Sequence, residues 1–393
     1  MSPLPVLLLL ATAWIAFLVV ERVLLEKRRE AVPLRIAVTG TRGKTTVTRL
    51  LASVLRESGR TVLAKSTGSE AAYVFPDGTD HEIHRLGAPS IIEQKRLLKW
   101  GARMGVDAVV AEVMAVHPEY HRVEVQRILR PPLVLVTNFH VDHVEAHGTS
   151  REAVASVLAL DVPPGTRAMV PEGEWEEAFR RAVEAVGGVV ESVPAGSGTA
   201  PEGCGEFESN LDLVWAAARS LGIDASHIRK GVTRAHGDLG ALRIWEYAPP
   251  GAARPWTVVN AFAANDPEST FRIHDRVLER EGVSAETCTG LLSLRADRGD
   301  RTLQWVEALG SGGLDRFGRL LVTGLHARAL RHRLRKGPGA GKIEILKPAR
   351  PAVVMEKVIE GGPGSFLFGF GNIGGMGETL VRHWDQVGEP HGI

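Results

Sequence analysis

The stretch VTGTRGKTTVTRL, residues 38–50, places two glycines between an apolar run and a helical pattern. The run that leads into it, LRIAV (34–38), is typical of a buried strand. Beyond it, apolar residues recur at helical spacing: Val47, Leu50, Leu51, Val54 and Leu55. Glycines let backbone N–H groups come close to phosphate oxygens, and the start of a helix adds partial positive charge. The stretch therefore predicts a phosphate-binding loop between a strand and a helix.

The residue types in this loop suit the binding of ATP. Lys44 is long enough to reach the β and γ phosphates, and the Thr45 hydroxyl can ligate Mg²⁺. The loop is shorter than the common G-x-x-x-x-G-K-[ST] pattern, because Val38 stands where the first glycine of that pattern falls. The candidate ATP-binding residues of the loop are Gly40, Thr41, Arg42, Gly43, Lys44, Thr45 and Thr46.

Strand-like and helix-like segments alternate along the chain on both sides of this loop. Further strand-like runs are TVLA (61–64), VDAVVAEV (106–113) and LVLVTN (133–138). Such alternation predicts an α/β fold in which helices cover both faces of a mostly parallel sheet.

The stretch EYAPPGAARP (246–255) interrupts the alternation, which then resumes with WTVVNAF (256–262). We therefore expect a P-loop-type ATP-binding domain over residues 33–250 and a smaller, Rossmann-like α/β domain over residues 251–393. An anchor with a basic flank is expected over residues 1–32.

The anchor is predicted from residues 3–20, PLPVLLLLATAWIAFLVV, which carry no charge. This length is close to the roughly 20 residues that cross a bilayer. A cleaved signal peptide and a buried core helix are the competing interpretations. A signal peptide has basic residues before its apolar run, whereas here Lys27, Arg28 and Arg29 follow it. The pattern favours a single-pass helix in the cell membrane, with the catalytic domains in the cytoplasm by the positive-inside rule.

The overall composition excludes some classes of function. A chain of 393 residues with 44% hydrophobic residues is long and apolar enough for two ordinary domains. A net charge of +1 argues against a protein that wraps nucleic acid. Cys204 and Cys288 match neither a zinc site nor a redox pair, so we expect two isolated thiols.

Polar side chains follow two of the predicted strands. Glu112 lies near the end of VDAVVAEV, where a parallel sheet opens to its ligand. The segment VTNFHVDHVEAHG (136–148) follows the next strand and carries Asn138, His140, Asp142, His143, Glu145 and His147. Ligation by several oxygens with one imidazole suits Mg²⁺ or Mn²⁺. The two segments predict a divalent metal site beside the phosphate loop.

The motifs GTRGKTT (40–46), AEVMA (111–115) and TNFHVDH (137–143) together resemble the ATP-dependent Mur ligase superfamily, which includes the folylpolyglutamate synthases. Within it, the chain is similar to the ATP-binding subunits of poly-γ-glutamate (capsule) synthases. The further motifs that carry this likeness are LAKSTG (63–68), IIEQ (91–94), NAFAANDPEST (260–270) and RADRGDR (295–301).

The resemblance implies a membrane-anchored, ATP-dependent amide ligase that joins glutamate units through an acyl phosphate. Lys44, Glu112 and His143 would be its catalytic residues. Thr45 and Glu112 would ligate the first Mg²⁺ or Mn²⁺, and His143 would hold a second metal.

The resemblance also implies further nucleotide contacts. Asn138 and Asn265 would lie near the nucleotide. Asp297 and Arg298 would belong to the C-terminal motif that closes over ribose and phosphate.

The chain departs from the Mur ligases of cell-wall synthesis in two ways. Those enzymes carry an additional N-terminal domain for a uridine-linked sugar, whereas here only an anchor and a short linker precede the loop. Many also place a carbamylated lysine after the D-H pair, but residues 144–166 contain no lysine. We therefore do not expect that substrate, and a second metal would be held differently.

The expected substrates are L- or D-glutamate and the growing poly-γ-glutamate chain. Lys65, Arg85 and Arg96 are candidate contacts to this anionic polymer, with ordinary surface charge as the default explanation of such residues. The resemblance implies small membrane subunits of a synthase and export complex as partners, and an oligomer is compatible with it.

Two other functions are compatible with the same loop. A P-loop kinase or NTPase would use it to transfer phosphate without an amine acceptor. A non-catalytic subunit of a polymer exporter would use it to sense ATP.

Overall fold

The computed structural model describes residues 4–68, 70–198, 208–235, 237, 239–248, 254–264, 266–296 and 299–391. The described residues up to 235 form one compact unit, and those from 237 onward form a second. Each unit is built on its own sheet. The domain boundary predicted at residues 250 and 251 falls outside the described residues, so the three-part division remains a prediction.

The first unit begins with α1 (Leu4–Glu30) and carries an eight-stranded sheet. Its strands are β1 (Leu34–Thr39), β2 (Val62–Ser66), β3 (Ala72–Val74), β4 (Asp80–Glu82), β5 (Ala108–Glu112), β6 (Leu133–Val136), β7 (Arg167–Pro171) and β8 (Val189–Val193). Its further helices are α2 (Lys44–Glu57), α3 (Glu93–Met104), α4 (Pro118–His121), α5 (Val144–His147), α6 (Arg151–Leu158), α7 (Glu177–Glu184), α8 (Glu208–Ser220) and α9 (Ala225–Arg234). A π-helical segment, Arg122–Leu129, continues α4 directly.

The strand order of the first sheet is β4-β3-β2-β5-β1-β6-β7-β8. All neighbours are parallel except in the β2-β3-β4 edge, which is antiparallel. The central strand β1 pairs with β5 so that Val38 lies opposite Glu112. Because β1 lies between β5 and β6, the segments that follow these three strands meet at one edge of the sheet.

The second unit carries a seven-stranded sheet of order β13-β12-β11-β14-β10-β9-β15. Its strands are β9 (Arg243–Tyr247), β10 (Trp256–Ala261), β11 (Cys288–Ser293), β12 (Arg319–Thr323), β13 (Ile343–Ile345), β14 (Phe366–Phe370) and β15 (Glu389–His391). Its helices are α10 (Pro267–Glu281), α11 (Gly299–Gly310), α12 (Ala327–Leu334), α13 (Pro351–Glu360) and α14 (Glu378–Val387). Strand β9 pairs antiparallel with β10 and β15, and the other pairs are parallel.

The predicted α/β fold with two mostly parallel sheets is confirmed. Apolar side chains of the first sheet pack against its helices in one core, and those of the second sheet form a separate set. All five apolar residues that predicted the helix after the loop are buried in α2. This agreement arises because a parallel strand buried on both faces is apolar throughout, whereas its covering helix is apolar on one side.

Helix α1 is long and apolar enough to cross a membrane. Its most apolar 18-residue window has no buried residue. Only Leu25 and Arg29, in the last turns, are buried. Length and composition thus agree with the predicted anchor, although a signal sequence passes the same test.

Candidate functional site

The loop between β1 and α2 depends on glycine at two positions. Gly40 and Gly43 have φ angles of 126° and 75°, in the left-handed region that other residues rarely adopt. A Cβ atom at Gly43 would lie 2.8 Å from the side chain of Asn210, and one at Gly40 would overlap the Thr137 hydroxyl. Both positions therefore require glycine on conformational and steric grounds.

Asn138 holds this loop against the end of β6. Its Oδ1 accepts hydrogen bonds from the Thr41 hydroxyl at 2.7 Å and from the Arg42 N–H at 3.1 Å. Its Nδ2 donates to the Arg42 carbonyl at 3.0 Å, and the Thr137 hydroxyl donates to the same carbonyl. Asn138 is buried, so these bonds form away from bulk water. The structure thus brings the predicted Asn138 against the phosphate loop.

Lys44 and Thr45 start helix α2. The Lys44 ammonium donates to the Gly40 carbonyl at 2.7 Å, which curls the side chain back over the loop. The Thr45 hydroxyl donates to Glu112 Oε2 at 2.9 Å. The same carboxylate oxygen accepts the Thr67 N–H at 2.6 Å. A cation, a hydroxyl and a carboxylate therefore converge beside the first turn of the helix.

Thr45 and Glu112 fit a magnesium site that is completed by water and phosphate oxygens. Mg²⁺ commonly takes one or two protein oxygens and keeps several water molecules. Within the described part of the chain, no group of three or more His, Cys, Asp or Glu side chains could hold a metal. The pair thus suits a hard cation bound together with ATP rather than a metal held by protein ligands alone.

The polar side chains that follow β6 point to different partners and do not gather at one site. His140 faces Glu174, with 3.4 Å between Nε2 and Oε1, whereas Asp142 faces Arg42 at 3.8 Å. His143 adopts a φ of 48° at the start of α5, and its ring centroid lies 5.8 Å from that of His147. The second-metal role of His143 remains a prediction.

Sequence reasoning missed a buried histidine–carboxylate pair below the loop. The two oxygens of Asp161 accept hydrogen bonds from His121 Nδ1 at 2.8 and 2.9 Å, and one also accepts the Thr39 hydroxyl. Burial by itself lowers the pKa of His121, but Asp161 outweighs it and the net shift is upward. Since Thr39 directly precedes Gly40, this pair supports the base of the loop. Nothing in the spacing of residues 39, 121 and 161 signals the contact.

The IIEQ motif also has a structural role that the sequence did not reveal. Gln94 Nε2 donates to the Glu112 carbonyl at 3.0 Å and to Glu124 Oε1 at 2.6 Å. Glu124 is fully buried and accepts the N–H groups of Met114 and Ala115. Burial raises the pKa of Glu124 to about 7, although these hydrogen bonds oppose the shift. Gln94 and Glu124 thereby fix the backbone around the candidate metal ligand Glu112.

The three candidate polymer contacts lie in different surroundings. Lys65 is fully buried, with its ammonium 3.2 Å from Glu93 Oε2. Arg85 binds the same carboxylate through two hydrogen bonds of 2.7 and 3.0 Å. Burial alone would raise the pKa of Glu93, but these partners outweigh it and lower the pKa. Arg96 is exposed on α3. Their contact with polymer remains a prediction.

The remaining predicted nucleotide contacts, Asn265, Asp297 and Arg298, lie outside the described residues. Their neighbour Asp266 caps helix α10 by accepting the Ser269 N–H at 2.8 Å. Their roles remain predictions.

Comparison with known proteins shows the family to which the chain belongs. The family described as "Mur ligase middle domain" matches residues 38–161, and "Poly-gamma-glutamate synthase CapB C-terminal domain" matches residues 246–387. The chain is 30% identical over 380 residues to "PGA synthase CapB" of Bacillus subtilis (strain 168), which covers 91% of this chain and 93% of that protein. The chain belongs to the CapB family of poly-γ-glutamate synthases. It is therefore an enzyme of the ATP-dependent ligase class.

A second CapB relative is matched less completely. The "Capsule biosynthesis protein CapB" of Bacillus anthracis is 32% identical over 289 residues, which are 72% of this chain and 61% of that protein.

Solved structures share the fold of this CapB-family chain. E. coli FolC in complex with DHPP and ADP superposes with a TM-score of 0.68 at 16% identity, covering 93% of this chain and 92% of FolC. Mycobacterium tuberculosis folylpolyglutamate synthase complexed with ADP and AMPPCP also gives 0.68 at 16% identity, covering 94% and 95% of the two chains. Both likenesses confirm the predicted fold.

Proposed function

We propose that this CapB-family chain activates a carboxylate with ATP as an acyl phosphate and joins it to the amine of glutamate, extending poly-γ-glutamate. The observation that carries the proposal is the convergence of Lys44, Thr45 and Glu112 beside the glycine loop. These groups offer a cation for phosphate oxygens and two oxygens for a divalent metal. The names of the CapB relatives supply the polymer.

In the first step, a substrate carboxylate oxygen attacks the γ-phosphorus of ATP and ADP leaves. Lys44 would neutralise charge that develops on the phosphoryl oxygens, and the loop N–H groups would orient the phosphates. Thr45 and Glu112 would hold the Mg²⁺ or Mn²⁺. When bound, such an ion supplies charge neutralisation for the phosphate oxygens.

In the second step, the amine of glutamate attacks the acyl carbon and inorganic phosphate leaves as the amide forms. The neutral amine loses one proton in this step, and that proton passes to solvent water. No covalent bond to the protein is needed, so binding and orientation supply the catalysis. Asn138 supports this by holding the loop through three hydrogen bonds.

We also infer that α1 anchors the chain in the cell membrane with the catalytic units on the cytoplasmic side. The apolar length of the helix and the basic residues in its last turn support this placement. Small membrane subunits that carry the polymer outward are the partners that the family resemblance implies.

One experiment separates this function from its rivals. The purified chain in lipid vesicles, with its membrane partners, receives ATP, Mg²⁺, glutamate and hydroxylamine. The ligase predicts glutamate-dependent ADP release and a glutamyl hydroxamate, because hydroxylamine intercepts an acyl phosphate. ADP release that is unaffected by glutamate, without hydroxamate, would indicate an NTPase. ATP binding without any turnover would indicate a sensing subunit.

A further inference from the structure

The last turns of α1 are docked on the first unit. Glu21 binds Lys95 of α3 with 2.6 Å between Oε1 and Nζ. Leu25 packs with Leu98 and Ile128 in a small buried cluster. The helix therefore leaves the unit in a direction that these contacts fix.

These contacts also give that direction. Glu21 lies beside Lys95 and Leu25 beside Leu98, so α1 and α3 run parallel. The π-helical segment Arg122–Leu129 runs parallel to them as well, since Gln94 binds Glu124 while Leu98 and Ile128 share one buried cluster. All three helical segments begin at the same end of the unit.

That end is the edge of the sheet that carries the candidate nucleotide site. Gln94, in the first turn of α3, donates to the carbonyl of Glu112, the last residue of β5. Glu93 pairs with Lys65 near the end of β2. The part of α1 before Glu21 extends beyond this edge by about 25 Å, at 1.5 Å per residue. A bilayer that contains this part lies on the side of the phosphate loop.

Exposed apolar side chains lie at the same end. Leu86 is fully exposed and follows Arg85, which binds Glu93. Ile92 precedes the first turn of α3 and is 52% exposed. Tyr120 and Val123 lie where the neighbouring helix begins, with exposures of 51% and 40%.

Exposed basic residues accompany them: Arg22, Arg96 and Arg122. Apolar and aromatic side chains interleaved with cations beside a membrane helix fit the interface of an anionic bilayer.

We propose that Leu86, Ile92, Tyr120 and Val123 rest in the lipid interface around α1, so that the edge with the phosphate loop faces the membrane. The inference rests on the proposed anchoring of α1. It implies that a growing polyanion is made at the membrane surface, where a membrane partner can accept it without diffusion through the cytoplasm.

The test uses two variants, Leu86→Cys and Ile92→Cys, each made in a chain that also carries Cys204→Ser. The introduced cysteine of each variant receives an environment-sensitive NBD label. Cys288 remains because its thiol is fully buried. Met104→Cys is the matched control, since Met104 is 40% exposed at the opposite end of α3. The chains are reconstituted in phosphatidylcholine–phosphatidylglycerol vesicles that contain a phosphatidylcholine with a nitroxide near its headgroup.

Quenching at positions 86 and 92 is expected to exceed that at position 104 several-fold. Equal quenching at positions 92 and 104, or stronger quenching at 104, overturns the orientation. If the NBD labels at positions 86 and 92 are not quenched by the nitroxide lipid and move to an apolar environment only when the membrane subunits are added, the lipid contact is overturned. The surface is then assigned to a protein partner. Vesicle flotation and glutamate-dependent ADP release on the same samples show separately whether the anchoring or the ligase proposal has failed.

Discussion

Lys44 is the residue on which the proposed chemistry depends most directly. Its ammonium lies 2.7 Å from the Gly40 carbonyl, a contact that ATP phosphates would replace or share. The neighbouring Thr45 hydroxyl and Glu112 carboxylate are joined by a hydrogen bond of 2.9 Å. A cation that binds one of these oxygens would therefore lie close to the other. In the proposed mechanism, a positive charge at position 44 would serve both the nucleotide and the transferring phosphoryl group.

The Lys44→Ala variant is expected to lose at least ~100-fold in glutamate-dependent ADP release, because a donor to the developing charge is removed. Coupled-enzyme assays of ADP release in vesicles measure this. Lys99→Ala, in the middle of α3, is the control and is expected to retain the wild-type rate. Near-normal turnover by Lys44→Ala would remove the basis of the proposed mechanism.

Glu124 makes the stability of the first unit depend on pH. Burial is the largest cause that raises its pKa from 4.5 to about 7. The carboxyl group therefore holds its proton more tightly in the folded state than in the unfolded state. The stabilisation is fully present below pH 4.5 and is lost as the pH rises to about 7. In Glu124→Gln this part of the pH dependence should disappear, a difference on the order of 1–3 kcal/mol.

Hydrogen exchange of the β5 amides, measured from pH 4.5 to 7.5, gives the unfolding free energy in each chain. Glu152→Gln is the control, since Glu152 is exposed on α6. Superimposable pH profiles for the wild type and Glu124→Gln would contradict the assigned pKa shift.

Helices α2 and α9 pack closely against each other at a glycine. A Cβ atom at Gly231 would lie 2.7 Å from the Val54 backbone nitrogen, well inside any normal contact. Helix α9 starts cleanly at its cap Asp224, which accepts the N–H groups of Ser226 and His227. The packing distance between the two helices is therefore limited by backbone atoms rather than by flexible side chains.

Gly231→Ala is expected to destabilise the first unit by about 1–3 kcal/mol, even though alanine favours helices, because the overlap with α2 cannot relax cheaply. Urea unfolding followed by circular dichroism measures the loss. Gly173→Ala is the matched control, since a Cβ there meets nothing within 4 Å. A stabilised Gly231→Ala chain would show that α9 moves away freely.

At the scale of the whole molecule, the described residues form two sheets with separate cores and one exposed apolar helix. Asn138, Glu112 and Asn210, which contact the phosphate loop, lie within the first unit. The proposed nucleotide binding by the loop and the proposed anchoring by α1 therefore use different parts of the chain.

A chain that starts at Leu25 is expected to leave the vesicle fraction while retaining binding of the fluorescent analogue TNP-ATP. Leu25 and Arg29, which pack on the first unit, are kept in this chain. The four apolar side chains at the membrane-facing end give weaker, reversible binding than a spanning helix. Flotation on a sucrose gradient and TNP-ATP titration are the measurements. A shortened chain that still floats quantitatively would contradict the anchoring proposal.

The sequence alone determined the features that depend on neighbouring residues. The loop needs glycines at 40 and 43 and a helix that starts at once, and all of these lie within one short stretch. The same holds for the buried strands and the apolar α1, because each pattern arises within a single element. The polar residues that follow two of the predicted strands also singled out Glu112 and Asn138, which the structure places against the loop.

Only the tertiary structure decided which distant polar groups pair. Gln94 holds the Glu112 carbonyl, and His121 and Thr39 share the Asp161 carboxylate. These partners come from different strands and crossovers of a parallel sheet, and the strand order that brings them together leaves no periodic mark in the sequence. Because these polar groups are buried, leaving any of them without a hydrogen bond would cost free energy. The pairing therefore follows from the fold as a whole.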